Sequence, residues 1–123
     1  MKQFYLQLRH LMPYIFWTLV AIVSMLMLIE LAPKEENIKH LDKIQHTLVF
    51  SIISVAGCLA FKKQISLVVV GLTIFGAIIE VLQATLTITR TGDVNDWLAD
   101  VAGVLIGLMI VSIYRQFKPK RLQ

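Results

Sequence analysis

Residues 65–89 of the sequence read ISLVVVGLTIFGAIIEVLQATLTIT and carry one charged side chain, Glu80. A helix needs about 20 mostly apolar residues to cross a bilayer, so this stretch predicts a membrane-spanning helix. Three further stretches are long and apolar enough to do the same, at about residues 11–31, 43–61 and 96–114. The sequence therefore predicts an all-α, four-helix transmembrane bundle.

The composition agrees with a membrane protein. Of the 123 residues, 57% are hydrophobic and 16% are charged, and the mean hydropathy is +0.73. Soluble domains carry about 25% charged residues, so disorder is excluded and a soluble helical domain is disfavoured. We expect residues 1–123 to form a single integral membrane domain in a lipid bilayer. The single cysteine, Cys58, excludes an internal disulfide and a zinc site made of cysteines alone.

The basic residues predict the orientation. The net charge is +4, but the charges lie at the ends of the apolar stretches, so they favour membrane orientation over nucleic-acid binding. Lys and Arg are more frequent in the two tails and the second loop, which places both termini in the cytoplasm. The apolar run of residues 11–29 exceeds the length of about 7–15 residues found in a signal peptide, and residues 31–33 (LAP) form a poor cleavage site. We expect a retained helix there.

Polar residues gather at the ends of the stretches that this topology places outside. These candidate pocket residues are Asp42, Lys43, His46, Glu80, Gln83, Arg90, Asp93, Asp96 and Asp100. A charged residue at the bilayer centre costs about 2.5–3.5 kcal/mol, so these side chains should face one another or a wet cavity open to the outside.

Helical spacing assigns the polar residues to faces. Asp42 and His46 are four residues apart, as are Asp96 and Asp100, and such pairs share one side of a helix. Gly103 and Gly107 continue the face of Asp96 and Asp100 and form a GxxxG motif, which permits close helix packing. We expect the same role for Gly71 and Gly76 on the third helix.

Structural roles are the alternative for the same residues. Asp93 lies just before the fourth apolar stretch and Asp42 lies at the start of the second, so both are candidate helix caps. Arg90 is a candidate interface anchor paired with Asp93 or Asp96. Glu80 is the hardest to explain in this way, because an intramembrane carboxylate indicates a functional site by default. A functional pocket and a purely structural polar network both remain open.

Two motifs resemble a known family. They are DKIQH at residues 42–46, and EVLQ at 80–83 followed by RTGDVNDWLADVAG at 90–103. Together they resemble the VanZ-like family of small bacterial membrane proteins, over about residues 40–107. The family usually has Asn where this sequence has Asp100, which adds a negative charge. The resemblance implies a multi-pass protein of the bacterial plasma membrane. The founding member is associated with resistance to the glycopeptide teicoplanin, so the resemblance also implies an effect on glycopeptide susceptibility.

The first functional hypothesis is binding or modulation of an amphiphilic or lipid-linked envelope molecule at the outer leaflet. Arg90, Lys43 and His46 would contact an anionic head group, and apolar walls would hold its chain. Because the cluster holds up to five carboxylates, a phosphate would need a bridging divalent cation or a protonated Glu80. A divalent cation is therefore the candidate cofactor.

Two alternatives belong to other classes. A metal-assisted enzyme on a lipid-linked phosphate would use Asp93, Asp96 and Asp100 as Mg²⁺ ligands, with His46 as general base oriented by Asp42. A small proton- or cation-coupled transporter would use Glu80 and His46 as a relay. Four helices are few for a pore, so the transporter would be a homo-oligomer.

Overall fold

The computed structural model describes residues 1–29, 39–88 and 92–118. This part of the chain folds into four helices, α1 (Lys2–Leu28), α2 (Lys39–Ala60), α3 (Ile65–Leu86) and α4 (Val94–Phe117). All four are long and apolar enough to cross a membrane. The predicted all-α, four-helix architecture is confirmed.

The helix ends differ from the predicted spans by several residues. α1 begins at Lys2, well before the predicted start near residue 11, because its first turns are helical but too polar to be counted as lipid-spanning. α2 begins at Lys39, so Asp42 lies within its first turn and the predicted cap is wrong. The predicted cap at Asp93 is confirmed, because its Oδ1 accepts a hydrogen bond from the backbone N–H of Asn95 at 2.9 Å.

α2 and α4 form the most extensive helix contact of the bundle. Gly103 packs against the backbone of Thr47 and the side chain of Phe50, and a Cβ at this position would lie 2.9 Å from Phe50 Cβ. A Cβ at Gly107 would lie 2.6 Å from Ser54 Cβ. Both distances are shorter than real Cβ atoms tolerate, so the two helices approach this closely because α4 has glycine at these positions.

The two glycines of α3 have different surroundings. A Cβ at Gly76 would lie 3.0 Å from Asp100 Oδ2, whereas a Cβ at Gly71 would meet nothing within 4 Å. The expected packing role is therefore wrong for Gly71, which faces open space.

α1 packs against α2 and α3. The Phe16 ring is buried and meets the Phe61 ring edge-on at a centroid distance of 5.5 Å. Large apolar side chains are exposed on the outer faces of all four helices, for example Trp17, Ile78 and Leu105. A lipid bilayer is the environment that suits such an apolar exterior.

Candidate functional site

The predicted pocket residues that the structure describes lie at one end of the bundle, formed by the last turns of α1 and α3 and the first turns of α2 and α4. We call this the polar end. The buried Gln83 side chain on α3 donates a hydrogen bond to the carbonyl of Met27 on α1 at 2.8 Å. Lys43 on α2 contacts Asp93 and Asp96 at the start of α4. The four helix ends are thus joined by side-chain hydrogen bonds.

Three ionisable side chains from three helices meet beneath this end, and we call them the His46 cluster: His46 on α2, Glu80 on α3 and Asp100 on α4. Their exposed fractions are 1%, 7% and 0%. His46 Nδ1 lies 2.8 Å from Asp100 Oδ1 and 3.7 Å from Glu80 Oε1. With its proton on Nδ1, the ring donates a hydrogen bond to Asp100.

Neighbouring groups hold the cluster in place. Glu80 Oε2 accepts a hydrogen bond from the backbone N–H of Asp93 at 3.0 Å, so this carboxylate also ties α3 to the start of α4. Thr47, next to His46, donates from Oγ1 to the carbonyl of Ala99 at 3.1 Å. Asp100 packs against Gly76. Because each of the three side chains belongs to a different helix, their relative positions depend on the packing of α2, α3 and α4 together.

A second polar layer lies nearer the surface. Lys43 Nζ donates to Asp96 Oδ1 at 2.7 Å and lies 3.4 Å from Asp93 Oδ2. Lys43 and Asp93 are half-buried, whereas Asp96 is buried. Ion pairs that water can reach contribute about 0–1 kcal/mol, so this layer orients α2 against α4 more than it stabilises the fold.

Two carboxylate oxygens of the His46 cluster have no hydrogen-bond partner within the described residues. They are Glu80 Oε1 and Asp100 Oδ2. A buried charged oxygen without a partner is costly. These two oxygens are therefore able to accept a proton or bind a cation. His46, Glu80 and Asp100 each offer one ligand atom, all within 4.8 Å of one another.

The structure groups the acidic residues differently from the predicted Mg²⁺ site. Asp93 and Asp96 share Lys43, whereas Asp100 is bound to His46. Asp100, rather than Asp42, is therefore the carboxylate that orients the imidazole. Asp42 belongs to a second set of potential ligands, with His46 and Asp96.

Arg90, the predicted head-group and anchor residue, lies outside the described residues. The cation that contacts Asp93 and Asp96 in the described part of the chain is Lys43. Spacing along α4 did not indicate this pairing, because Lys43 and Asp96 lie 53 residues apart in sequence.

An apolar cavity of about 360 Å³ lies between α1 and α3, and sequence reasoning did not indicate it. Its lining residues are Phe16, Trp17, Val20, Phe61, Gln64, Leu67, Val68, Gly71, Leu72 and Phe75. The Phe75 ring also packs against the Phe50 ring at a centroid distance of 5.8 Å. Phe50 lies one turn from His46 on α2, so the contact between these two rings connects the wall of the cavity to the region of the His46 cluster.

Comparison with known proteins agrees with the motifs. No curated protein and no solved structure matched the chain. A family model described as VanZ/LLP1 matches residues 7–115. The match confirms the resemblance seen at residues 40–107 and extends it through most of α1. This four-helix membrane protein therefore belongs to the VanZ/LLP1 family.

Proposed function

We propose that the chain is a single integral domain of the bacterial plasma membrane that binds or modulates an amphiphilic or lipid-linked molecule of the cell envelope. In this proposal both termini face the cytoplasm and the polar end faces outward. The family membership and the four apolar helices support the membrane setting. The apolar cavity between α1 and α3 is the observation that carries the proposed ligand class.

The cavity suits an apolar chain. Its volume of about 360 Å³ falls within the usual range for ligand pockets, about 300–1,000 Å³. Trp17 and Leu67 line it and are 63% and 66% exposed, so it opens on the outer surface of the bundle. A chain that lies in the bilayer can therefore reach it without crossing water.

The position of the cavity determines how long the apolar chain of a ligand must be. Phe75 on α3 precedes Glu80 by five residues, and Gln64, the residue just before α3, precedes it by sixteen. At about 1.5 Å per residue, the cavity begins about 8 Å below the level of Glu80 and ends about 24 Å below it. An amphiphile with its head group at the polar end would need an apolar chain of that reach, as acyl and isoprenoid chains provide.

The cavity can be filled by one substitution. Because Gly71 lines the cavity and a Cβ at this position meets nothing within 4 Å, we expect the side chain of Gly71→Leu to occupy part of the cavity. We expect native mass spectrometry of the gently extracted wild-type protein to show a bound amphiphile that Gly71→Leu removes. Val70→Leu is the matched control, since Val70 is exposed on the outer surface. Retention of the amphiphile by Gly71→Leu would contradict the proposal.

The proposed effect on glycopeptides has a separate test. Expression of the wild-type protein should lower teicoplanin susceptibility of a sensitive bacterial host. Expression of Gly71→Leu should not, while Val70→Leu should act as the wild type does. Equal susceptibility of cells with and without the wild-type protein would remove glycopeptides from the proposed function and leave the amphiphile test unaffected.

A further inference from the structure

The His46 cluster has the dimensions of a metal site. A zinc-type ion binds nitrogen and oxygen at about 2.0–2.2 Å, which places neighbouring ligand atoms of a tetrahedral site about 3.4 Å apart. The distances from His46 Nδ1 to Asp100 Oδ1 and to Glu80 Oε1 are 2.8 and 3.7 Å and lie on either side of that value. Small side-chain shifts would bring the three atoms around one ion.

The charges of the cluster also favour a cation. Glu80 and Asp100 are two carboxylates buried away from water, and each has an oxygen without a partner within the described residues. Among the described residues, the only basic side chain within 4 Å of these two carboxylates is His46. One imidazolium balances one carboxylate at most, so among the described residues one buried negative charge stays without a balancing cation, which is costly. A divalent cation bound to a neutral imidazole balances both carboxylates.

The surroundings fix the potential ligands. The second oxygen of Glu80 accepts a hydrogen bond from the backbone N–H of Asp93, and Asp100 has room at the helix interface because Gly76 has no side chain. Such outer contacts orient ligands and maintain their geometry in metalloproteins. Asp42 and Asp96 form a second ligand set that shares His46, and this set connects the cluster to the half-buried polar layer above it.

From this geometry we propose that His46, Glu80 and Asp100 bind one divalent transition-metal ion of the Zn²⁺ type. Imidazole nitrogen with carboxylate oxygens suits such an ion. His46 binds through Nδ1 and carries its ring proton on Nε2. The three protein ligands leave a fourth position for water or for an anionic group. The proposal is independent of the amphiphile, since no residue of the cluster lines the apolar cavity.

Binding of Co²⁺ to the full-length protein in lipid nanodiscs tests the proposal. Co²⁺ replaces Zn²⁺ and gives visible absorption that is strong when the site is tetrahedral. We expect about one Co²⁺ per chain, displaced by Zn²⁺, with this absorption. Glu80→Gln and Asp100→Asn should each weaken binding by at least about tenfold, the lower range of effects seen when ligand support is lost.

Asp93→Asn is the matched control. It removes a carboxylate from the same end of the bundle but keeps a residue able to cap α4, and its backbone N–H to Glu80 remains. The control should bind Co²⁺ as the wild type does, and circular dichroism should show equal helicity in all four proteins. If the wild-type protein binds no Co²⁺ or Zn²⁺, or if Asp93→Asn weakens binding as much as Glu80→Gln, the proposal is overturned. The unused oxygens would then be explained by a bound proton.

Discussion

The close approach of α2 and α4 predicts opposite effects for the same substitution at two glycines. A Cβ at Gly103 would lie 2.9 Å from Phe50 Cβ and 3.1 Å from the backbone nitrogen of Ser51. The carbonyl oxygen of Thr47 would be nearer still. Two of these atoms belong to the backbone of α2 and cannot rotate away, so Gly103→Ala must push the helices apart. At Gly71 the added methyl group meets nothing within 4 Å.

The magnitudes follow from two contributions. Alanine is favoured over glycine in a helix interior by about 0.8–1.0 kcal/mol, and this gain applies at both positions. Overpacking a close contact costs about 1–3 kcal/mol, and this cost applies only at Gly103. We therefore expect Gly71→Ala to stabilise the protein by about 0.5–1 kcal/mol and Gly103→Ala to change stability by about 0 to −2 kcal/mol. The difference between the two variants, about 1–3 kcal/mol, isolates the packing cost.

Reversible unfolding in mixed micelles, followed by circular dichroism, measures this difference. Because the two substitutions are chemically identical, the contribution of helix propensity and the effect of the denaturant are the same in both variants. Both therefore cancel when the stability changes are compared. Equal stability changes, within about 0.5 kcal/mol, would mean that α2 and α4 do not touch at Gly103, and the reasoning would be refuted.

Two further predictions concern the polar end. Gln83→Ala removes the bond to the Met27 carbonyl, so it should cost about 0.5–1.5 kcal/mol and speed hydrogen exchange in the last turn of α1; unchanged exchange there would contradict the contact. Asp93→Ala removes the cap on the N–H of Asn95 and should cost about 1 kcal/mol of unfolding free energy. Asp93→Asn should cost only a few tenths, and equal losses in the two variants would mean that the cap is not the cause.

The fold was predictable because each helix carries its own signal. A run of about 20 apolar residues specifies a spanning helix by length and composition, and no knowledge of the neighbouring helices is needed. The start of α4 was equally local, since Asp93 caps the helix with its own side chain. The start of α2 was not predictable from one residue, because Asp42 is also an acidic residue at the beginning of an apolar stretch but lies inside the helix.

The faces of the candidate site were predictable, and its pairings were not. Helical spacing placed His46 on one face of α2 and Asp100 on one face of α4, and the structure brings these faces together. Which residue meets which depends on the height and rotation of one helix relative to the next. Spacing within a helix contains no information on either, so it did not show that Asp93 and Asp96 pair with Lys43 while Asp100 pairs with His46.

The separation of cavity and cluster makes it possible to locate the head group of the proposed ligand. Gly71 and Glu80 are nine residues apart on α3, or about 14 Å along the axis, and substitutions this far apart normally have additive effects. If the head group binds elsewhere, the effects of Gly71→Leu and Glu80→Gln on amphiphile affinity should therefore add. If one molecule places its chain in the cavity and its head group on the cluster, the double variant should lose less than the sum, because a ligand already displaced from one region has little left to lose at the other. The presence or absence of this coupling distinguishes one long site from two separate ones.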